Sequence, residues 1–401
     1  MTLALTLHRS VPRYVAARAV GGRLPGLLSG PLAPLKLGTV ETPELPGPGW
    51  ARVAVHLAGI CSSDLAMLSG RSSFYFEPLV SMPFVPGHEI VGELVDDVDD
   101  LRAGTRVVID PVLSCGARAV EQCASCAAGL TERCDRITTG HIAPGLQTGY
   151  CTDTGGGWSE VLVAHRSQLH VVPDSLSDRR AVLIEPLACA LHAVLRARPA
   201  PGDSVSVVGT GTLGLLTLIA LRRLTDPGRI TVVAKHAHQA ELARKYGADE
   251  VATPATAVRV IRRAAQGFLL RPARGNDFLL GGVDVSFECA GSPSSLELAL
   301  STTRAGGRVC LVGLPGGGVD LSAVWFRELD LIGAYASGME NVNGRRCHAF
   351  DIAAEVAQEV AIDELVSATY PLDAWPEAID HALEGGSLAA VKIVFDPREG
   401  V

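Results

Sequence analysis

The pattern of hydrophobic positions changes along the chain, and the change falls after Ala181. Up to that point apolar and polar residues alternate in short runs, as in Ala51–Leu57, and turn residues such as Val85-Pro86-Gly87 separate the runs. Alternation with a period of two is typical of strands that bury one face. The first part of the chain is therefore predicted to be β-rich, with Arg106–Ile109 as a further strand.

Beyond Ala181 near-continuous apolar segments alternate with helical ones. The predicted strands are Ser204–Val208, Ile230–Ala234, Gly282–Glu288, Arg308–Gly313 and Ala390–Phe395, and the predicted helices are Leu213–Leu224, Gln239–Tyr246 and Ala349–Val360. Apolar strands that alternate with helices indicate a parallel, doubly wound α/β sheet. The segment Arg259–Asn276 carries five arginines and is predicted to be a surface helix followed by a loop.

Composition and charge narrow the class of protein. The chain has 401 residues, of which 47% are hydrophobic and 19% charged, so it is long and apolar enough for two folded domains. A net charge of −8 argues against a nucleic-acid partner or an anionic membrane surface. Met1–Leu7 shows no basic leader, and the apolar stretch Val205–Leu221 is interrupted by three glycines. We therefore expect a cytoplasmic protein without a membrane span.

A glycine-rich turn directly follows one predicted strand and opens a predicted helix. It reads Gly209-Thr210-Gly211-Thr212-Leu213-Gly214. In this context such a turn cradles a dinucleotide pyrophosphate, with Gly209 for the tight turn, Gly211 for close approach of the backbone and Gly214 for helix packing. The predicted coenzyme-binding residues are Gly209, Gly211, Leu213, Gly214 and, at the end of a later strand, Val312. The alternative is a glycine turn in an unrelated parallel sheet.

The residues after the second strand of this region indicate the type of dinucleotide. The acidic residue that would bind the ribose hydroxyls of NAD is missing, and Ala234 is followed by Lys235 and His236. A small neutral residue followed by cations accommodates a 2′-phosphate, which favours NADP over NAD. The alternative is that Lys235 and His236 are ordinary solvated residues of a loop.

Two further motifs supply metal-ligand chemistry. Gly59-Ile60-Cys61-Ser62-Ser63-Asp64 and Gly87-His88-Glu89 offer a thiolate, an imidazole and a carboxylate, which is the ligand set of an open catalytic zinc. Four of the ten cysteines cluster as Cys115, Cys123, Cys126 and Cys134, a pattern that in an intracellular chain indicates metal rather than disulfides. A Lewis-acid metal together with a nicotinamide coenzyme points to hydride transfer at an alcohol or carbonyl carbon.

With these motifs in their order, the chain resembles the zinc-containing medium-chain alcohol dehydrogenase family, from about Ala51 to its C-terminus. The resemblance implies a GroES-like, β-rich catalytic domain, formed by residues 1–186 and completed by 337–401. It also implies a Rossmann coenzyme domain with a doubly wound parallel sheet over residues 187–336. The implied function is zinc-dependent oxidoreduction between an alcohol and NAD(P), in an assembly that is a homodimer or homotetramer.

The resemblance also assigns roles to residues of the catalytic site. It implies zinc ligation by Cys61, His88 and Glu185, with Glu89 as a fourth ligand or as a carboxylate beside the metal. Ser63 lies where the family keeps a hydroxyl that relays the alcohol proton, and Asp64 lies where a carboxylate orients the histidine. Glu185, in place of the cysteine of liver-type enzymes, is similar to the polyol and threonine dehydrogenase branch.

The cysteine cluster departs from the spacing of the family's structural zinc site. Cys123, Cys126 and Cys134 match, but five extra residues, such as Ala117–Glu121, displace Cys115. A longer loop can still return a thiolate to a tetrahedral site, so we expect a structural zinc with Cys115 as the fourth ligand. The alternatives are a lobe without metal and a different fourth ligand.

Two other functions remain compatible with this fold. One is an NAD(P)-binding regulatory protein that has lost turnover, and the other is a zinc-free quinone or enoyl reductase. The substrate is a small alcohol or carbonyl compound that the sequence does not specify. The aromatic residues in Arg71–Leu79 suggest either a hydrophobic pocket or lid, or plain packing.

Overall fold

The computed structural model describes residues 1–20, 26–30, 33–315 and 317–400. The chain forms two compact units, one of Met1–Glu185 with Phe350–Val401 and the other of Pro186–Ala349. The sequence predicts boundaries after residues 186 and 336, whereas the second unit here extends to Ala349. In the described part of the chain, every helix falls short of the length and hydrophobicity that a bilayer span demands.

The strands and helices follow one another in this order along the chain. The strands are β1 (Thr2–Leu7), β2 (Leu35–Val40), β3 (Trp50–Gly59), β4 (Ile90–Leu94), β5 (Arg106–Ile109), β6 (Val161–His165), β7 (Leu169–Val171), β8 (Val205–Val208), β9 (Ile230–Val233), β10 (Glu250–Ala252), β11 (Phe268–Leu270), β12 (Phe278–Leu280), β13 (Val283–Glu288), β14 (Thr303–Leu311), β15 (Asp330–Gly333), β16 (Met339–Val342), β17 (Arg345–His348), β18 (Val366–Tyr370) and β19 (Lys392–Phe395). The helices are α1 (Val11–Val20), α2 (Gly26–Ser29), α3 (Ser62–Leu68), α4 (Ala124–Ala127), α5 (Asp178–Ala181), α6 (Ile184–Ala197), α7 (Thr212–Leu224), α8 (Ala237–Lys245), α9 (Ala257–Ala264), α10 (Pro293–Thr302), α11 (Ser322–Phe326), α12 (Ala349–Glu359) and α13 (Trp375–Leu383).

The sheet of the first unit is built around the long strand β3. Its order is β18-β19-β3-β4-β5-β7, with β6 also paired to β3. The inward residues of β3, such as Val53 and Val55, alternate with half-buried ones, as the sequence pattern predicts. Because β19 pairs with β3 through Val394 and Gly59, the C-terminal part of the chain completes this sheet. The end of β3 and the starts of β19 and β4 consequently lie close together.

The sheet of the second unit is parallel throughout and has the order β10-β9-β8-β13-β14-β15. This is the 3-2-1-4-5-6 order of dinucleotide-binding folds, in which the direction of winding reverses between the first and fourth strands. Here that point lies between β8 and β13. Strands β8 and β9 are buried along their whole length, which is why they read as continuous apolar runs. The predicted α/β fold class is confirmed.

Among the elements that the pattern did not predict are one helix of the first unit and two hairpins of the second unit. Helix α1 lies between the paired strands β1 and β2, and the hairpins β11–β12 and β16–β17 lie in the second unit. The first hairpin occupies part of the segment that is predicted to be a helix and a loop. Its strands have three residues each, which is too short for a period to be recognised.

Candidate functional site

Three potential metal ligands of the first unit come together at the ends of β3 and β4. One ligand atom each from Cys61, His88 and Glu89 lies within 4.8 Å of the others. Cys61 is half-buried at the N-terminus of α3, and the other two side chains are buried directly before β4. The arrangement follows from the pairing of β3 with β4, which brings Ala58 opposite Ile90.

The carboxylate of Asp64 contacts both Cys61 and His88. One carboxylate oxygen accepts a hydrogen bond from the main-chain N–H of Cys61 at 3.0 Å, and the other lies 3.5 Å from Nδ1 of His88. Burial lowers the pKa of His88, but the charges of Asp64 and Cys61 outweigh it, so that the pKa lies well above its ordinary value. Since Nδ1 faces Asp64, Nε2 is the ring nitrogen available to a metal.

Glu89 is held by a buried lysine that sequence reasoning did not identify. Nζ of Lys392, at the start of β19, lies 2.7 and 2.6 Å from the two carboxylate oxygens of Glu89 and also donates to the carbonyl oxygen of Ile60 at 3.2 Å. The two side chains are 4% and 2% exposed. Burial lowers the pKa of Lys392, but Glu89, Cys61 and Glu185 raise it above its usual value.

A glycine makes room for this ion pair. A Cβ atom at Gly59 would lie only 1.9 Å from Oε2 of Glu89. The glycine of the first motif is therefore required by the close approach of the carboxylate.

Two further residues predicted for the catalytic site are Ser63 and Glu185, which lie outside the group formed by Cys61, His88 and Glu89. The hydroxyl of Ser63, in the first turn of α3, is buried and has no hydrogen-bond partner within the residues that the structure describes. A buried hydroxyl without a partner is costly unless a ligand satisfies it. Glu185 is buried in the first turn of α6, and its carboxylate is outside the group of mutually close ligand atoms.

The four clustered cysteines converge despite the irregular spacing. The sulfur atoms of Cys115, Cys123, Cys126 and Cys134 all lie within 4.8 Å of one another, and all ten cysteines of the chain are free thiols. Main-chain N–H groups point at three of the sulfurs, which lie 3.4–3.5 Å away. Hydrogen bonds of this kind lower the pKa of Cys123 to about 6. The donor set fits a tetrahedral metal.

The glycine-rich turn of the second unit has the geometry that its sequence predicts. It leaves β8 at Gly209, whose φ is +98°, and enters α7 after Gly211. A Cβ atom at Gly214 would lie 1.9 Å from the carbonyl oxygen of Gly209, whereas no heavy atom lies within 4 Å of a Cβ atom at Gly211. The half-buried Leu213 is in the first turn of α7. The backbone at Gly211 is therefore open to a ligand.

The residues predicted to bind the rest of the coenzyme follow the carboxyl ends of strands β9 and β14. Ala234 is 2% exposed directly after β9, Lys235 is exposed, and His236 caps α8. Burial and the charges of Lys235 and His238 lower the pKa of His236. Val312 follows β14 and donates its main-chain N–H to the carbonyl oxygen of Glu288 at 2.9 Å.

The aromatic loop of the first unit is largely exposed. Phe74 and Tyr75, in a short 3₁₀ helix, are 66% and 78% exposed. Phe74 contacts Tyr14 at a ring-centroid distance of 6.0 Å, and the guanidinium of Arg18 lies 5.4 Å from its ring centroid. The loop thus contacts helix α1.

Comparisons with known proteins agree with this geometry. The alcohol dehydrogenase GroES-like domain matches residues 47–174, and the zinc-binding dehydrogenase domain matches residues 212–345. The L-idonate 5-dehydrogenase of Vitis vinifera is 31% identical over 306 residues, which are 75% of this chain and 77% of that protein. The sorbitol dehydrogenase of Bacillus subtilis is 27% identical over 361 residues, which are 87% of this chain and 91% of that protein.

A solved structure gives the same result over nearly the whole length. A Sinorhizobium meliloti protein described as a zinc-binding dehydrogenase, crystallised with NADP, is 27% identical, with a TM-score of 0.71 over 99% of this chain and 100% of its own. The chain therefore belongs to the zinc-binding, medium-chain alcohol dehydrogenase family. Its relatives confirm the resemblance to the polyol and threonine dehydrogenase branch.

The glycine turn yields a first testable prediction. Gly211→Ala should leave the melting temperature unchanged, because the new methyl group meets open space, but should weaken NADP binding by roughly tenfold because it blocks the phosphate. Gly214→Ala should lower both the melting temperature and the affinity, since the methyl group collides with Gly209. Thermal unfolding and coenzyme titration measure the two effects. Unchanged NADP affinity in Gly211→Ala would contradict the coenzyme site.

Proposed function

We propose that this protein is a zinc-dependent dehydrogenase that transfers a hydride between a small alcohol and a nicotinamide coenzyme, with NADP preferred. The observation that carries the proposal is the convergence of Cys61, His88 and Glu89 beside the unpartnered hydroxyl of Ser63. The thiolate and the imidazole fit two ligands of an open zinc site, with Glu89 as the carboxylate beside them. The hydroxyl of Ser63 fits a group that exchanges a proton with the substrate.

The chain's own residues position the reactants and handle the proton. A bound zinc supplies a Lewis acid that lowers the pKa of an alcohol or polarises a carbonyl, and the nicotinamide carries the hydride. Asp64 fixes the ring of His88, Ser63 accepts the alcohol proton on its hydroxyl oxygen and passes its own proton on, and Lys392 neutralises Glu89. Ala66 stands where liver-type enzymes have a relay histidine, so the proton leaves Ser63 by another route.

We assign the third protein ligand to Glu185 rather than to Glu89. Both oxygens of Glu89 accept hydrogen bonds from Lys392, and its charge is matched by the ammonium group. A metal bound to the same carboxylate would lie close to that ammonium, and the two like charges would repel each other in a buried site. The negative charge of Glu185 contributes to raising the pKa of Lys392, which supports a position of this carboxylate near the proposed site.

We assign a structural zinc to Cys115, Cys123, Cys126 and Cys134. Four thiolates close the coordination sphere, so this second metal has no open position for a substrate. Metal-bound rather than disulfide-bonded cysteines are typical of reducing compartments, and a cytoplasmic location belongs to the proposal.

The comparisons support a substrate class, and an open sheet edge supports the assembly. Relatives named idonate, sorbitol and arabitol-phosphate dehydrogenase favour a polyhydroxylated substrate with a secondary alcohol. A homo-oligomer is favoured by strand β15, which lies at the edge of its sheet and can pair with another chain. Near it Trp325 and Phe326 are 84% and 66% exposed. Sedimentation of the purified protein measures the assembly directly.

The metal ligands can be tested by counting zinc. His88→Ala and Glu185→Gln should each lose one of two zinc ions per chain and all turnover, while NADP binding persists because its residues lie in the second unit. Glu89→Gln should retain both zinc ions, since Glu89 is engaged by Lys392, and His8→Ala, at an exposed position, is the control. Loss of zinc in Glu89→Gln with retention in Glu185→Gln would reverse the assignment. A wild-type chain without zinc would favour the zinc-free reductases.

The four-cysteine lobe should contribute stability rather than chemistry. Cys126→Ser should remove one zinc ion and lower the melting temperature, because metal binding at a closed site adds directly to the free energy of unfolding. Turnover per folded chain should fall much less than in His88→Ala. Unchanged zinc content and melting temperature would show that the lobe binds no metal.

Coenzyme preference can be tested at the end of β9. Lys235→Gln should weaken NADP about ten- to a hundredfold and leave NAD nearly unchanged, because only the 2′-phosphate loses a charge-assisted hydrogen bond. Ala234→Asp should shift the preference further toward NAD by repelling the phosphate. Lys245→Gln, at the other end of α8, is the control for charge alone. A wild-type enzyme with higher kcat/KM for NAD than for NADP would refute this proposal.

A further inference from the structure

The inserted loop of the four-cysteine lobe carries an arginine that points inward. Arg118 is 0% exposed, whereas arginine is almost never fully buried without a partner. Its guanidinium donates hydrogen bonds of 2.8–3.3 Å to five main-chain carbonyl oxygens, those of Leu113, Thr139, Ile142, Ala143 and Gly145. All five acceptors are neutral, so they satisfy the N–H groups but do not balance the charge.

These hydrogen bonds fold the extra residues back toward the cysteines. The main chain of Arg118 packs closely against Gly140. A Cβ atom at Gly140 would lie 2.4 Å from the carbonyl oxygen of Arg118. Two residues later, Val120 donates its main-chain N–H to the carbonyl oxygen of Cys115 at 3.2 Å and packs against the four-cysteine cluster. The sulfur of Cys115 is thereby held 3.6 Å from that of Cys134.

The charges that surround Arg118 are mainly those of cysteines. Burial lowers the pKa of Arg118, and the groups that raise it are Cys151, Cys134, Asp153 and Cys115, in this order. Two of the four belong to the cluster. Four thiolates around one divalent zinc carry an excess negative charge of about two. Besides the carboxylate of Asp153, the lobe thus offers the buried cation a further counter-charge when its four cysteines are ionised around a metal.

We propose that Arg118 is the positioning residue and the counter-cation of the four-cysteine zinc site. Its hydrogen bonds to five carbonyl oxygens hold the loop with the extra residues in a conformation in which Cys115 can bind the metal. Its charge balances that of the thiolates in surroundings where water cannot. The inference rests on the proposed zinc in the lobe and concerns residues that lie outside the catalytic site.

The test compares arginine variants by their zinc affinity. Full-length chains that all carry His88→Ala, which removes the catalytic zinc, are equilibrated with a chelator that buffers free zinc. Arg118→Met, Arg118→Lys and Arg133→Met are then compared with the parent. Arg133 is an exposed arginine of the same lobe whose Nε lies 3.1 Å from a carboxylate oxygen of Glu132. It serves as the control for loss of a positive charge that is paired with a carboxylate rather than with the cysteines. Replacing zinc by cobalt adds a second readout, because the sulfur-to-cobalt absorbance reports the number of thiolate ligands.

The expected result separates charge from positioning. Arg118→Met should require at least about tenfold more free zinc to half-fill the lobe, as expected for a lost buried charge interaction. Arg118→Lys keeps the charge but lacks the planar fork. It should lose about a quarter of the sulfur-to-cobalt absorbance as Cys115 leaves the metal. This variant also carries the test if Arg118→Met does not fold.

Two results would overturn the inference. The first is a half-filling zinc concentration in Arg118→Met equal to that of Arg133→Met, and the second is unchanged absorbance and affinity in Arg118→Lys. A parent chain that binds no zinc would do the same. Retention of two zinc ions in His88→Ala would instead contradict the catalytic assignment, so the two failures are distinguishable.

Discussion

The buried ion pair between Lys392 and Glu89 is the contact on which the geometry of the catalytic site depends. Both side chains are almost inaccessible to water, so neither charge would be tolerated alone. Removing one partner of such a pair typically costs about 3–5 kcal/mol, because the other is left as an uncompensated buried charge. The pair also joins the C-terminal strand β19 to the start of β4, and it thereby connects the last part of the chain to the proposed metal ligands.

The four-cysteine lobe also contains a buried charge that needs a counter-charge, and there the counter-charge comes from different groups. Lys392 is matched directly by a carboxylate, whereas Arg118 is surrounded by carbonyl oxygens, with Asp153 and the proposed thiolates as its counter-charges. A lobe that contains a buried cation is more compatible with a metal-loaded tetrathiolate than with four neutral thiols. Metal binding and the folding of the extra loop are then two aspects of one equilibrium.

The parts that could be predicted from the sequence are those in which the relevant residues are neighbours. The turn Gly209–Gly214 follows its strand directly, so local spacing predicts its role. Cys61 and Asp64 are three residues apart at the start of one helix, and this short motif carries the family resemblance that implies their roles. Lys392 lies 303 residues from Glu89, and nothing around it distinguishes it from a surface lysine. Hairpin β16–β17 did carry a sequence signal, the dipeptide Asn343-Gly344, which is typical of tight hairpin turns. Both residues have the positive φ angles that such a turn requires. The signal was masked by the absence of a clear period in the short strands of the hairpin.

One cationic side chain therefore lies near each of the three proposed binding sites, those for the catalytic zinc, the structural zinc and the coenzyme phosphate. The burial of each side chain determines how strongly dissolved ions screen its charge. Lys392 beside the catalytic site and Arg118 beside the cysteine lobe are inaccessible, so dissolved ions screen them weakly. Lys235 is exposed after β9, where it would meet the 2′-phosphate of the proposed coenzyme from solution. The metal sites thus depend on charges that are fixed when the chain folds, and coenzyme preference depends on a charge that solvent can screen. A change of coenzyme preference is consequently open to substitution at the surface, whereas a change at Glu89 or Arg118 has to be compensated within the core.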